Sequence, residues 1–322
     1  RETKAIQEAV IVGGGVGALF QSANDMQTRY ETELQMFRDD TDLGCQVLFS
    51  GGTGAQGDGG VSRWGEFLEQ QNEGGRRLAS ICHTRPSGAF FGLAQLSPFT
   101  KKSNAWKELM ALPTIADRVD VLRNEAQRAK LIDEGIEAGD MEGLAHMLHP
   151  FGMGETPDLD FARQASLKQL AEAAGKDPVE VYVERLLASE GKEFFNFWMF
   201  GGNLENQWKY MQLPHVVPML GDAGAHVGFF TDTDSPTVLL SELTRKQGVY
   251  SLPEAIHRIT GKSAEIIGLK ERGQLKEGWH ADINVIDYDN LSTCHPEYVN
   301  DFPHGGGRFI VKAKGYDLSL IH

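Results

Sequence analysis

Asp222 closes the apolar run 216–220 and opens the loop Gly221-Asp222-Ala223-Gly224-Ala225-His226. A carboxylate at the C-terminal end of a buried parallel strand stands where barrel active sites are built. The same spacing suits an aspartate that caps a loop or a helix, and spacing alone does not choose between them. The ten histidines include no HxH pair. His146 and His149 are three apart, a spacing one helix face could present together, although Pro150 directly after them reads as a helix end. His83 closes the run 78–83, with Arg85 two residues on and Cys82 pointing to the opposite face. A lone histidine at a strand end is more often structural than a ligand. No HExxH and no GxSxG occurs, so the zincin and serine-hydrolase patterns lack their motifs. Cys45, Cys82 and Cys294 form no CxxC pair, which leaves neither a zinc-ribbon spacing nor a disulfide framework and suits a reducing compartment.

Two glycine clusters invite a phosphate reading. Gly13-Gly14-Gly15-Val16-Gly17-Ala18 follows Ala9-Val10-Ile11-Val12 and matches the GxGxxA form of the dinucleotide fingerprint. That pattern works by bringing backbone close to a pyrophosphate at a helix N-terminus. It needs a helix directly after it and a strand ending in an acid about 20 residues on. The acids in that window, Glu31 and Glu33, sit in a helical pattern instead. A glycine-rich connection from helix to strand is therefore the favoured reading, and a dinucleotide-dependent oxidoreductase using Gly13–Ala18 the weaker alternative. The six-glycine stretch 51–60 lacks the GK[ST] of a phosphate loop and reads as a βα loop.

The elements that would position these groups alternate. A helix over 2–12 and a strand over 18–22 precede a helical pattern over 26–42, with Met26, Tyr30, Leu34 and Phe37 in step. Strands are expected at 46–50 and 78–83 around a helix at 64–71. The interleaving points to βα units around a parallel sheet. The middle reads as helical: 115–135 as one helix entered after Pro113, a poorly patterned stretch over 136–160, then helices at 166–174 and 178–189. Asp177 caps the second of these, with Pro178 in its first turn. The aromatic run 194–200 is expected to be a buried strand, with 194–199 alongside 216–220 in the parallel sheet. Helices follow at 236–247 and from Ser251 through 264–267. After Gly268 the pattern changes to turns and short alternating strands, giving a division into 1–268 and 269–322.

Composition excludes other classes. With 322 residues and 41% hydrophobic side chains, the chain can bury a large core. No run approaches the ~18 apolar residues of a membrane span. Thirty-one Lys and Arg against 45 Asp and Glu leave a net charge of −14. This argues against nucleic acid or an anionic membrane as partner, since both need clustered basic side chains. The chain starts without Met and stops inside what reads as a strand, so it is expected to be a piece of a longer cytoplasmic protein, incomplete and inactive alone.

The ordered combination Leu220-Gly221-Asp222-Ala223-Gly224-Ala225-His226-Val227, Leu252-Pro253-Glu254-Ala255-Ile256-His257-Arg258-Ile259-Thr260, Lys262-Ser263-Ala264, Gly268-Leu269, Glu271-Arg272-Gly273-Gln274-Leu275, Gly278 and Ala281-Asp282 resembles the C-terminal half of the amidohydrolase superfamily. Within it the chain is similar to the D-aminoacylase, or N-acyl-D-amino-acid deacylase, group. Phe20-Gln21, Arg85-Pro86-Ser87-Gly88, Ser97-Pro98-Phe99 and Leu112-Pro113 fit the same group. The resemblance implies an α/β fold: a partial TIM-type (β/α)8 barrel of the metal-dependent hydrolase kind over 1–268, with part of a small composite β-sandwich over 269–322. It implies hydrolysis of C–N bonds in linear amides, with N-acyl-D-amino acids as the small-molecule partner, and is compatible with a homo-oligomer. It implies Zn2+ or another divalent metal, one or two ions, with Asp222 as ligand and proton carrier. The family's HxH is expected upstream of this chain, and the remaining ligands are unassigned. Zinc would polarise the carbonyl and lower the pKa of a bound water to about 7. His226 could hold the substrate or the developing oxyanion and Arg85 a substrate carboxylate, with surface or structural roles for both equally open. A degenerate, non-catalytic member of the superfamily is the competing reading.

Overall fold

The computed structural model describes residues 2–15, 17–22, 30–51, 57–153, 156–218, 221 and 223–321. Up to residue 218 its strands are β1 (Leu19–Ser22), β2 (Gln46–Ser50), β3 (Arg77–Cys82), β4 (Phe90–Phe91), β5 (Leu148–Pro150), β6 (Phe195–Phe197) and β7 (Val216–Pro218). Four of them form one sheet in the order β1-β2-β3-β7, and every pairing is parallel. Helices Tyr30–Asp42 and Gly57–Glu73 make the crossovers between its first three strands. The βα alternation read from the sequence is this sheet.

Both faces of the sheet are covered, which is why its strands read as apolar runs rather than alternating ones. Val47, Phe49, Leu78, Cys82 and Val216 point to one side and pack with Phe37, Trp64 and Tyr210. Phe49 stacks on Phe37 with ring centroids 4.6 Å apart. Leu48, Ala79 and Val217, the alternate residues, face the other way onto Ile266 of helix Gly261–Ile267. Gly51, just past β2, sits so close to Tyr210 that a Cβ would overlap its hydroxyl and that of Ser80.

The run expected as a fifth parallel strand, 194–199, does not join this sheet. Its strand β6 lies antiparallel between β4 and β5 in a separate three-stranded sheet. Aromatic content marks a strand as buried but says nothing about its neighbours. This sheet belongs to a long excursion between β3 and β7, cored by Phe99, Trp106, Tyr182 and Phe195 and walled by helices. The single helix expected over 115–135 is two, Ile115–Arg123 and Glu125–Ala138, broken at Asn124. Asn124 ends the first with extended backbone, and its side chain accepts from the Gln127 N–H to start the second. The stretch 136–160, expected as loop, contains helix Asp140–Leu144 and β5. The expected cap Asp177 forms and completes a capping box, and Ser166, read as the first residue of its helix, is a second capping-box residue. Helix Leu204–Met211 then leads into β7.

Beyond β7, a short helix at Ser235–Val238 runs into a π-helical stretch, Leu239–Lys246, and helices Leu252–Ile259 and Gly261–Ile267 follow. The change of character after Gly268 is present: the later strands pair only antiparallel, Ile283–Ile286 with Tyr316–Leu320, Ser292–Thr293 with Ala313–Lys314, and Glu297–Val299 with Arg308–Ile310. They still touch the earlier part: Phe309 packs with Phe90 and Phe194. Among the described residues no helix is long and apolar enough to cross a membrane.

Candidate functional site

Parallel pairing puts the C-terminal ends of β3 and β7 side by side, since Cys82 is level with Pro218. The chain leaves β3 as His83-Thr84-Arg85-Pro86-Ser87 and leaves β7 towards Gly221 and Ala223. A third segment, 231–235, comes back over both. The three segments are joined by buried polar side chains.

Arg85 is 1% exposed. Its Nε donates to Asp234 Oδ1 at 3.0 Å, one terminal nitrogen to the Thr231 carbonyl at 3.0 Å, and the other to the Pro86 carbonyl at 3.2 Å. The guanidinium also lies 5.4 Å from the Phe151 ring centre. The second oxygen of Asp234 accepts from Thr293 Oγ1 at 3.2 Å, which ties the β-rich end of the chain to this point. Thr84 Oγ1 and Ser235 Oγ are 2.8 Å apart. Buried ion pairs hold only when the remaining donors and acceptors are matched, and here they are.

Asp232 does the same for the other side. Its Oδ1 accepts from the Ala223 N–H at 2.8 Å and its Oδ2 from the Ser87 hydroxyl. His83 Nδ1 stands 3.9 Å from Oδ2, and the His83 ring stacks on Phe200 with centroids 5.6 Å apart. Cys82, beside His83, is fully buried, and Gln207 Nε2 donates to both its sulfur and the His83 carbonyl at 2.9 Å. Burial pushes the Cys82 thiol up, away from the thiolate a nucleophile or ligand needs.

The residues singled out by sequence fall as follows. Asp222 lies outside the described residues, and its neighbours Gly221 and Ala223 both meet Asp232. Arg85 is in the cluster, but its fork is taken by Asp234 and two backbone carbonyls. His226 is exposed on the turn after Ala223, its ring 5.3 Å from that of Phe229. His149 is not on a helix face with His146. It sits on β5, stacked 3.5 Å from Trp198, and burial pushes its pKa down to about 4. The run Gly13–Ala18 begins inside the end of helix Glu2–Gly14 and leads into β1, the reverse of the strand–glycine–helix order that cradles a pyrophosphate; Val16 within it lies outside the described residues. Asp232, Asp234 and Ser87 were missed as site residues. Asp234-Ser235-Pro236 reads as a helix entry, and that reading absorbs the acids as caps. Among the described residues no three His, Cys, Asp or Glu side chains are grouped so as to hold a metal ion.

Residues 161–301, which include β7 and the segments around Asp232, match the amidohydrolase family. An N-acyl-D-aspartate deacylase from Alcaligenes xylosoxydans xylosoxydans is 43% identical over 56 residues, 17% of this chain and 11% of that protein. Two solved D-aminoacylase structures, one described as having a binuclear metal centre and one as defining a novel subset of amidohydrolases, align with TM-scores of 0.51 at 16% identity. Each alignment covers 99% of this chain and 55% of the other, so the chain spans about half the length of the structures it matches.

Proposed function

We propose that this chain, whose residues 161–301 match the amidohydrolase family and whose fold is similar to that of D-aminoacylases, forms the later part of a hydrolase that cleaves C–N bonds in linear amides, with N-acyl-D-amino acids as substrates. One observation carries this reading: the family match contains the loop 221–226, whose described residues follow the C-terminal end of a strand in a parallel sheet. That is the end of the sheet at which barrel enzymes assemble their sites.

In this proposal residues 1–268 contribute part of a TIM-type barrel and 269–322 part of a small β-sandwich. Val285 and Leu318, directly opposed across a strand pair, and Leu320 and Tyr316 are exposed apolar side chains. Further strands from the length that the chain does not span would cover them. A metal ion is part of the proposal by way of the solved D-aminoacylase described as having a binuclear metal centre, and zinc is the ion that the sequence resemblance implies. Among the described residues no group makes up such a site by itself; Asp222 would be one of the residues that hold it. Asp222 accepts the proton of the attacking water and returns it to the leaving amine, base and then acid. His226 is exposed, so it is available to contact the substrate.

The test uses the full-length protein and N-acyl-D-amino acids, with their L-enantiomers as comparison. Asn at 222 keeps the shape of Asp but cannot take a proton at neutral pH. Asp222→Asn should therefore lower kcat by about 10²–10⁴-fold with an unchanged Tm. Asp289→Asn, an exposed position, should leave kcat alone. If Asp222→Asn keeps more than about a tenth of the parental kcat, Asp222 is a loop cap and the mechanism is withdrawn.

A further inference from the structure

We propose that Asp232 is a positioning residue, a buried carboxylate that fixes Gly221 and Ala223 against the segment 83–87. Asp232 is 3% exposed, so whatever holds its charge must be protein. One oxygen takes the Ala223 N–H at 2.8 Å and the other the Ser87 hydroxyl, itself 1% exposed. On the other side of residue 222, Gly221 lies directly on the carboxyl group. A Cβ there would overlap Asp232, and Gly221 has φ +97°, a conformation that favours glycine. Ala223 is thus held by a hydrogen bond and Gly221 by close packing.

Asp232 is not needed to neutralise Arg85, since Asp234 does that two residues away. His83 Nδ1, at 3.9 Å, is too far for a hydrogen bond. What distinguishes Asp232 is that it ties the loop just before it in sequence to the remote segment 83–87, at the ends of two neighbouring parallel strands. The catalytic consequence rests on the reading of Asp222 as proton acceptor, whereas the anchoring does not.

The experiment follows Ala223 amide exchange and steady-state kinetics in the full-length protein. Asp232→Ala removes the acceptor and should speed exchange at Ala223 about tenfold. It should lower kcat at least about tenfold while changing KM less than about twofold, the signature of a misplaced reacting group rather than lost binding. Asp232→Asn keeps an oxygen for Ala223, and the Ser87 hydroxyl can turn to accept from its amide. It should therefore restore protection to within about threefold of the parent. If Asp232→Ala does not fold, Ser87→Ala decides, because it frees one carboxylate oxygen without touching the acceptor of Ala223. Exchange at Ala223 should then rise about threefold. Unchanged exchange in a folded Asp232→Ala or, failing that, in Ser87→Ala overturns the proposal, and so does lost protection with kcat intact. A parent that hydrolyses no N-acyl amino acid refutes the deacylase reading instead, and the exchange measurement alone then judges the anchor.

Discussion

Arg85 shows how the same side chain can suit two roles until its partners are seen. A guanidinium next to a strand end is suited to gripping a carboxylate in two places. In the fold it holds a carboxylate through one nitrogen only, Nε to Asp234, and its other two nitrogens go to backbone carbonyls. Both side chains are almost fully buried, at 1% and 3%. Removing one charge then leaves the other uncompensated, whereas removing both costs far less. Arg85→Met should therefore lower stability by about 3–5 kcal/mol, seen as a fall in Tm or in the urea midpoint. The double variant Arg85→Met/Asp234→Leu should recover much of that loss. Were Arg85 mainly a substrate contact, the single variant would raise KM and leave Tm where it was. A double variant no more stable than Arg85→Met would show that the pair is not the unit that matters.

Asn124 marks the point at which periodicity stops being informative. Ile115, Val119, Leu122, Ala126, Ala129 and Ile132 keep helical spacing across it, so one long helix is the natural reading of 115–135. The break is made by a side chain that satisfies the Gln127 N–H more cheaply than the backbone could. Asn124→Ala removes that cap. It should cost about 1 kcal/mol, measured by chemical denaturation, and an unchanged midpoint would mean that the flanking packing sets the break. Elements with local signals were legible: Asp177 with Pro178, Ser251 with Glu254, and the alternation of strands and helices through β3. The pairing of β6 was not, because burial of Phe195 is satisfied equally well in either sheet. The site was legible only at its rim. Asp222 stood out because it ends an apolar run, while Asp232 and Asp234 are made into site residues by contacts with Ser87, Ala223 and Arg85, up to 149 residues away.

Over the whole molecule, two buried ionisable groups far apart in sequence oppose one another as pH changes. His149 has its pKa pushed down to about 4, chiefly by burial. Between the unfolded value near 6.5 and 4, the unfolded chain binds a proton that the folded one refuses. Its stabilising contribution is therefore complete above pH ~6.5 and lost as pH falls, about 3 kcal/mol in all. Asp40, 2% exposed on helix Tyr30–Asp42, has its pKa pushed up to about 6, again chiefly by burial. Here the folded chain binds the extra proton. Its contribution is present below the unfolded value near 3.8 and lost as pH rises through 6, again about 3 kcal/mol. Glu193, also pushed up mainly by burial, works in the same direction as Asp40. The opposing terms should leave Tm nearly flat between pH 4.5 and 6.5. Asp40→Asn removes one of them: the variant should be more stable than the parent at pH 7 and lose Tm steeply on acidification. His149→Phe keeps the stack on Trp198 but removes the other, so its Tm should rise as pH falls over the same range. If the Asp40→Asn curve instead runs parallel to the parent's, the Asp40 carboxylate is already charged in the fold at pH 4.5, and the balance between the two ends of the molecule does not exist.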